Sequence, residues 1–250
     1  MIMTTVFLAG CSSKVEWNQK LTVTVEIDGQ EYVGSSVSRM RYTSAGKVAF
    51  GSRGVSLREH IQGEAVVVDL GEHGHLFALW PYQKPGKYAL TGRKNKKSGN
   101  DFKSNQRANF SRLRKISYSR RAKVLEPGSC PEDKGDYPML VAFENLKFPS
   151  TIEAFNECGK NSTSSTFNTE SFTKFYGQNA SVKSIVFQIT DEPITQGALS
   201  AVLTDDFFEK WHQRKKSLGG GSKCNLKAGN MYFCNLHKGK WMRKFPKRVK

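Results

Sequence analysis

Leu21-Thr-Val-Thr-Val-Glu-Ile27 alternates Leu, Val, Val and Ile with Thr and Glu, and Asp28-Gly29 follows directly. Successive side chains of a strand point to opposite faces, so a period of two builds one apolar row and one polar row, the mark of a half-buried strand. An Asp-Gly step between two β-prone runs suits the positive φ angles of a tight two-residue turn. The spacing therefore predicts a hairpin that returns through Glu31 to Tyr42. A second hairpin is expected where Glu64-Ala-Val-Val-Val-Asp-Leu70 passes through Gly71-Glu-His-Gly74 into His75-Leu-Phe-Ala-Leu-Trp80. Pro81, Pro85 and Gly86 close that unit.

The same reading extends along the chain. Tyr137-Pro-Met-Leu-Val-Ala-Phe143 is a candidate strand after the turn-rich Pro127-Gly-Ser-Cys-Pro131, and Val182 to Thr190 is another, ending at Asp191-Glu-Pro193. Pro149 to Phe155 suits the start of a short helix, while Asn161 to Thr169 is a polar Ser/Thr tract expected to be a loop. One helix is well signalled: Thr204 as cap, Asp205 and Asp206 in the first turn, Lys215 and Lys216 in the last, and Gly219-Gly-Gly221 beyond. Its buried stripe would be Phe207, Phe208 and Trp211. Met231 to Phe233 and Gly239 to Met242 suit a closing hairpin. Strands dominate and βαβ alternation is missing, so the expected fold is mainly β, antiparallel and hairpin-rich with one or two short helices, and α+β is the alternative.

Charge divides the 250 residues unevenly. The formal net charge is +17, yet Arg93 to Lys123 holds twelve Lys or Arg against Asp101, and Lys238 to Lys250 holds seven against no acid. The rest of the chain carries twenty basic and twenty-one acidic residues. Two segments are basic and the body is neutral. The expected organisation is a signal segment at 1–10, a hairpin-rich half at 11–91, a basic insertion or loop at 92–123, and a second β-rich half at 124–250 with a helix near 205–217 and a basic tail.

Leu8-Ala9-Gly10-Cys11 follows the apolar run Ile2 to Leu8 and precedes Ser12-Ser13. These residues resemble the lipobox of a bacterial lipoprotein precursor. The resemblance implies cleavage ahead of Cys11 and transfer of a diacylglycerol to its sulfur, with Ser12 matching an outer-membrane rather than an inner-membrane sorting residue. Secretory signals open with positive charge, and no Lys or Arg precedes Cys11. Either a start codon upstream of Met1 supplies that charge, or Cys11 is a free thiol on an ordinary N-terminal strand. Further stretches resemble a group of uncharacterised alphaproteobacterial lipoproteins: Trp17 to Glu26 with Gly34-Ser-Ser36, Gly63 to Val68 through Leu76 to Leu79, Tyr137 to Val141, and Val182 to Gly197. That likeness covers about half of the chain and carries no activity to transfer. The basic 92–123 region and the basic C-terminus depart from it.

Setting Cys11 aside leaves Cys130, Cys158, Cys224 and Cys234, an even number that suits an oxidising compartment. Four cysteines allow three pairings; Cys224 with Cys234 and Cys130 with Cys158 is the favoured one, and zinc the competing idea, since His237 lies near Cys234. The paired C-x2–4-C spacing of zinc sites is missing. No cofactor is implied.

Catalytic signatures were sought next. The chain has no G-x-S-x-G elbow, no phosphate-binding G-x-x-x-x-G-K-[ST] loop and no H-E-x-x-H helix. Gly219-Gly-Gly-Ser222 reads as a connector, His73 and His75 as turn residues, and Asp191-Glu192 and Asp205-Asp206 as turn and helix-start carboxylates. The sequence thus points to a non-enzymatic protein, with an envelope hydrolase as a remote alternative.

Polyanion binding is the remaining signal. Arg93, Lys94, Lys96, Lys97, Arg112, Arg114, Lys115, Arg120, Arg121 and Lys123 are interleaved with Phe102, Phe110 and Tyr118, and Arg243, Lys244, Lys247 and Arg248 accompany Trp241 and Phe245. Cations neutralise phosphates while aromatic rings stack on bases or enter a lipid interface. The expected partners are a membrane reached through the N-terminal lipid and anionic lipid or lipopolysaccharide. The alternative is a cytosolic protein that binds nucleic acid through 93–123 and the tail. A solvated, self-repelling loop is the bland reading of the same charges.

Overall fold

The computed structural model describes residues 13–46, 55–79, 122–125, 138–156, 167–217 and 242–243. The alternation of Leu21 to Ile27 is the second half of a longer strand, β1 (Ser13–Ile27), which turns at Asp28-Gly29 into β2 (Gln30–Gly46). Asp28 and Gly29 have φ of 50° and 82°, the left-handed pair that lets two residues join strands of native twist. The ladder then runs from Ile27 opposite Gln30 to Ser13 opposite Ser44.

Four more strands complete a six-stranded antiparallel sheet. β3 (Val55–Glu64) pairs with the free edge of β2, β9 (Ser181–Thr190) with that of β1, β6 (Ala122–Leu125) with β9, and β10 (Met242–Arg243) with β3. The order is β10-β3-β2-β1-β9-β6. A smaller sheet contains β4 (Val66–Asp69), β5 (His75–Leu79), β7 (Met139–Phe143) and β8 (Ile152–Ala154), in the order β4-β5-β7-β8. The described helices are α1 (Thr169–Tyr176), α2 (Ala198–Val202) and α3 (Asp205–Ser217). The mainly β, antiparallel expectation holds, with short helices added.

Two cores stack these elements in layers. One lies between the sheets and joins Val15, Trp17, Leu21, Val23, Val25 and Ile27 of β1 to Val66, Val68, Leu76, Ala78, Leu140 and Ala142 of the smaller sheet, with Phe172 and Tyr176 of α1. The other lies on the smaller sheet's opposite face, where Phe77, Val141 and Phe143 meet Leu199, Leu203, Phe207, Phe208 and Trp211 of α2 and α3. Phe143 stacks edge-on against Phe207 and Trp211, with ring centroids 5.2 and 6.2 Å apart. A sheet covered on both faces needs no polar row. Hence β5 and β7 are near-continuous apolar runs, buried at every position after the first, while β1 alternates.

The sheets meet at a corner where β3 leaves the large sheet and becomes β4. Gly63 has φ of 153°, and a Cβ there would lie 2.5 Å from the Ser38 Cβ. Gly34 lets the β4 backbone pass against β2, since a Cβ at that position would stand 2.9 Å from both the Val67 carbonyl carbon and the Val68 Cα. Departure of β3 frees the backbone of Val37, whose N–H donates to Thr195 Oγ1 at 2.8 Å and whose carbonyl accepts from the Thr195 N–H at 3.0 Å. Beside it, the Glu64 side chain is 3% exposed and accepts the backbone N–H groups of Gly197 and Ala198 at 3.3 and 3.0 Å. That carboxylate binds the opening of α2 to the corner.

The helix at 205–217 begins as the sequence suggests: the Phe207 N–H donates to Thr204 Oγ1 at 3.4 Å, and Phe207, Phe208 and Trp211 are buried. Three expectations need correction. Pro149–Thr151 forms a single 3-10 turn that leads into β8 rather than a helix, because Ile152 already adopts an extended ψ of 130°. The polar tract ends before Thr169, which opens α1, capped by Asn168 whose Oδ1 accepts the Ser171 N–H at 2.9 Å. Lys123 belongs to β6 rather than to a loop, since its backbone lies opposite Phe187. The closing hairpin lies outside the described residues except for Met242–Arg243.

Candidate anionic-surface interface

The outer face of the large sheet takes the even-numbered side chains of β1 and the odd-numbered ones of β2. At the end where β1 begins, Lys14, Glu16 and Asn18 stand beside Arg39 and Arg41, with Glu16 opposite Arg41 and Asn18 opposite Arg39. Three cations converge on one carboxylate. Glu16 Oε2 lies 2.7 Å from Arg41 Nε and 2.8 Å from Lys14 Nζ, and Glu16 Oε1 lies 3.4 Å from Arg39 Nε. The Arg39 Nε–H also donates to Asn18 Oδ1 at 3.2 Å. Partial burial pushes the Glu16 pKa up, but hydrogen bonds from Lys14 and Arg41 together with their charges outweigh it, and the carboxyl titrates below its usual range.

Further along β1 the balance changes sign. Lys20 is neutralised by Glu192, whose two carboxylate oxygens both accept from Lys20 Nζ at 2.9 Å. Those hydrogen bonds and the Lys20 charge lower the Glu192 pKa, against a smaller opposing effect of desolvation. Beyond Lys20 come Glu26, Asp28 and Glu31, against which β9 offers Lys183, 3.2 Å from Glu26. Asp191 follows Thr190, which lies opposite Asn18, so the described residues at the start of β1, Lys14, Arg39 and Arg41 against Glu16 and Asp191, carry one excess positive charge, and those at the turn end, Glu26, Asp28 and Glu31 against Lys183, two excess negative ones. The two ends are separated by about 40 Å of strand.

The sequence-derived candidates fall as follows. Cys11, Cys130, Cys158, Cys224 and Cys234 lie outside the described residues, as do Arg93, Lys94, Lys96, Lys97, Arg112, Arg114, Lys115, Arg120, Arg121, Lys244, Lys247 and Arg248. Lys123 is in β6 and Arg243 in β10, at opposite edges of the six-stranded sheet. His73 and His75 do not share a site: His73 lies 4.0 Å from Glu72, whereas the His75 carbonyl accepts the Tyr176 hydroxyl at 2.9 Å and its ring stacks on Phe77. Burial drives the Tyr176 pKa far upward, so this hydroxyl stays a donor. Asp206 pairs with Lys210 at 2.6 Å on α3, which accounts for it structurally. Among the described residues no group of three or more His, Cys, Asp or Glu side chains is arranged to hold a metal ion, and no helix is long and apolar enough to cross a membrane.

Sequence reasoning missed the Lys14, Arg39 and Arg41 cluster. Its residues are 25 or more positions apart in part, and only the hairpin register brings them together. Arg39-Met40-Arg41 and Lys14-Val15-Glu16 do show the alternating charged rows that an exposed strand face leaves in a sequence. No family model, no curated protein and no solved structure matches the chain.

Proposed function

We propose that this chain is a non-enzymatic lipid-anchored protein of a Gram-negative cell envelope, held on the periplasmic side, at the outer membrane, by a diacylglycerol on Cys11. The observation that supports the reading is where the described strands start. β1 opens at Ser13, two residues after Cys11, so cleavage ahead of Cys11 removes none of the described residues of either sheet. One acyl chain alone holds a protein only marginally, and stable anchoring uses a second lipid chain or a basic patch. The basic segments at 93–123 and 238–250 supply the latter, each cation near an anionic leaflet contributing about 1 kcal/mol.

Growth with a palmitate analogue, comparing the native sequence with Cys11→Ser, tests the anchor. Label on the native protein and none on the variant is expected. Equal absence of label from both would remove the basis of the proposal.

A further inference from the structure

β3 pairs with β2 only from Arg39 to Gly46, so its departure at the corner opens the edge of β2 from Val37 back to the Asp28-Gly29 turn. Successive residues of an antiparallel strand send both backbone groups alternately toward one neighbour and toward the other. Val37 directs its N–H and its carbonyl away from β1, to Thr195, and Glu31, Val33 and Ser35 therefore direct theirs the same way. Among the described residues, none of these three has a backbone partner on that side. Their side chains are exposed on the outer face, Val33 by 61%. Edge strands are ordinarily guarded by lysine, proline or a bulge. Gln30 to Val37 contains no lysine or proline, and its register with β1 is unbroken.

The open stretch has a centre. The turn closes it at Gly29 and Thr195 closes it at Val37, and both positions stand four residues from Val33. A second copy related by a two-fold axis through Val33, perpendicular to the sheet, keeps both outer faces on one side. It sets Val33 against Val33 and Glu31 against Ser35, so that every open N–H meets an open carbonyl and none is left over. The Glu31 carboxylate, which has no partner among the described residues, then faces the Ser35 hydroxyl of the second copy rather than a second carboxylate. Each Val33 covers the other, which removes from water the most exposed large apolar side chain among the described residues.

We infer that Glu31–Ser35 of β2 is a self-pairing edge through which two copies of this chain join their large sheets into one continuous antiparallel sheet. The contact is isologous, the same five residues serving both copies. Its area is well below the about 800 Å² per partner of a stable interface, so the association is weak and depends on concentration. It stands apart from the lipid anchor and does not depend on it.

Amide hydrogen exchange followed by NMR tests the inference on the full chain carrying Cys11→Ser, compared at about 50 µM and about 1 mM. Salt of about 0.15 M screens the repulsion between chains of net charge +17. The N–H groups of Glu31, Val33 and Ser35 are expected to exchange at least threefold more slowly at the higher concentration. Val33→Lys sets two ammonium groups together on the axis and is expected to abolish that difference. Ser35→Lys places a cation opposite Glu31 of the second copy, twice per dimer, and is expected to lower the dissociation constant severalfold in sedimentation equilibrium, a gain that misfolding would not produce. Unprotected amides at both concentrations, or no gain from Ser35→Lys, overturn the inference. Equal protection at both concentrations also overturns it, because the edge is then covered within one chain. A dimer that persists in Val33→Lys lies on another surface and overturns it as well.

Discussion

Replacing Glu64 by Ala removes the acceptor that joins the sheet corner to α2. In the folded protein its two oxygens accept the N–H groups of Gly197 and Ala198 at 3.3 and 3.0 Å, and the residue is 3% exposed, so water cannot substitute freely. Hydrogen bonds to a charged group contribute about 1.5–3 kcal/mol each, and the lower figure suits bonds of this length. Two such losses predict that Glu64→Ala destabilises by about 3 kcal/mol, with the truncated side chain adding a small cavity penalty. Glu64→Gln keeps the volume and one acceptor oxygen and should cost about 1 kcal/mol. Equilibrium urea unfolding reads the difference: with a slope of about 2–3 kcal/mol/M, the Ala midpoint falls by about 1–1.5 M and the Gln midpoint by less than half of that. An Ala variant within about 0.5 kcal/mol of the parent would refute the reasoning, as would a Gln variant no better than Ala.

Gly34→Ala should destabilise by about 3 kcal/mol and lower the thermal midpoint by roughly 6–12 °C, because the added methyl meets the β4 backbone at Val67 and Val68 rather than a side chain that can move; an unchanged midpoint would mean that β4 does not cross β2 there. Ser38→Ala should stabilise by about 1 kcal/mol, since the Ser38 hydroxyl is fully buried and has no hydrogen-bond partner among the described residues, opposite Gln19, whose Nε2 is in the same condition; a loss in urea unfolding would show that the hydroxyl is paired. Glu16 has a folded-state pKa below its unfolded one, so its contribution to stability is complete above the ordinary glutamate range and disappears as pH falls through the depressed value. The stability gap between the parent and Glu16→Gln should close on acidification, and a gap independent of pH would contradict the ion-pair geometry.

The parts of this fold that repeat locally were legible in the chain. β1 declares itself by alternation, the first hairpin by Asp28-Gly29, and α3 by Thr204 and the Phe207, Phe208 and Trp211 stripe. Other elements left signals that polar neighbours obscured. Val55, Leu57 and Ile61 keep the period of β3, but Arg58-Glu59-His60 interrupts it, and Phe172, Phe175 and Tyr176 give α1 its helical spacing inside a Ser/Thr-rich stretch. Glu64 had no readable role because its partners are 133 and 134 residues away. The position of β6 was equally hidden. It depends on β9 inserting between β1 and β6, a long-range pairing that fixes strand direction and that no local pattern encodes.

The most direct measurement is the intact mass of the protein recovered from the membranes of its native host. The account predicts loss of every residue before Cys11 and a mass increment of a diacylglycerol on the new N-terminal cysteine. A chain that still carries Leu8-Ala9-Gly10 ahead of an unmodified Cys11 thiol would contradict it.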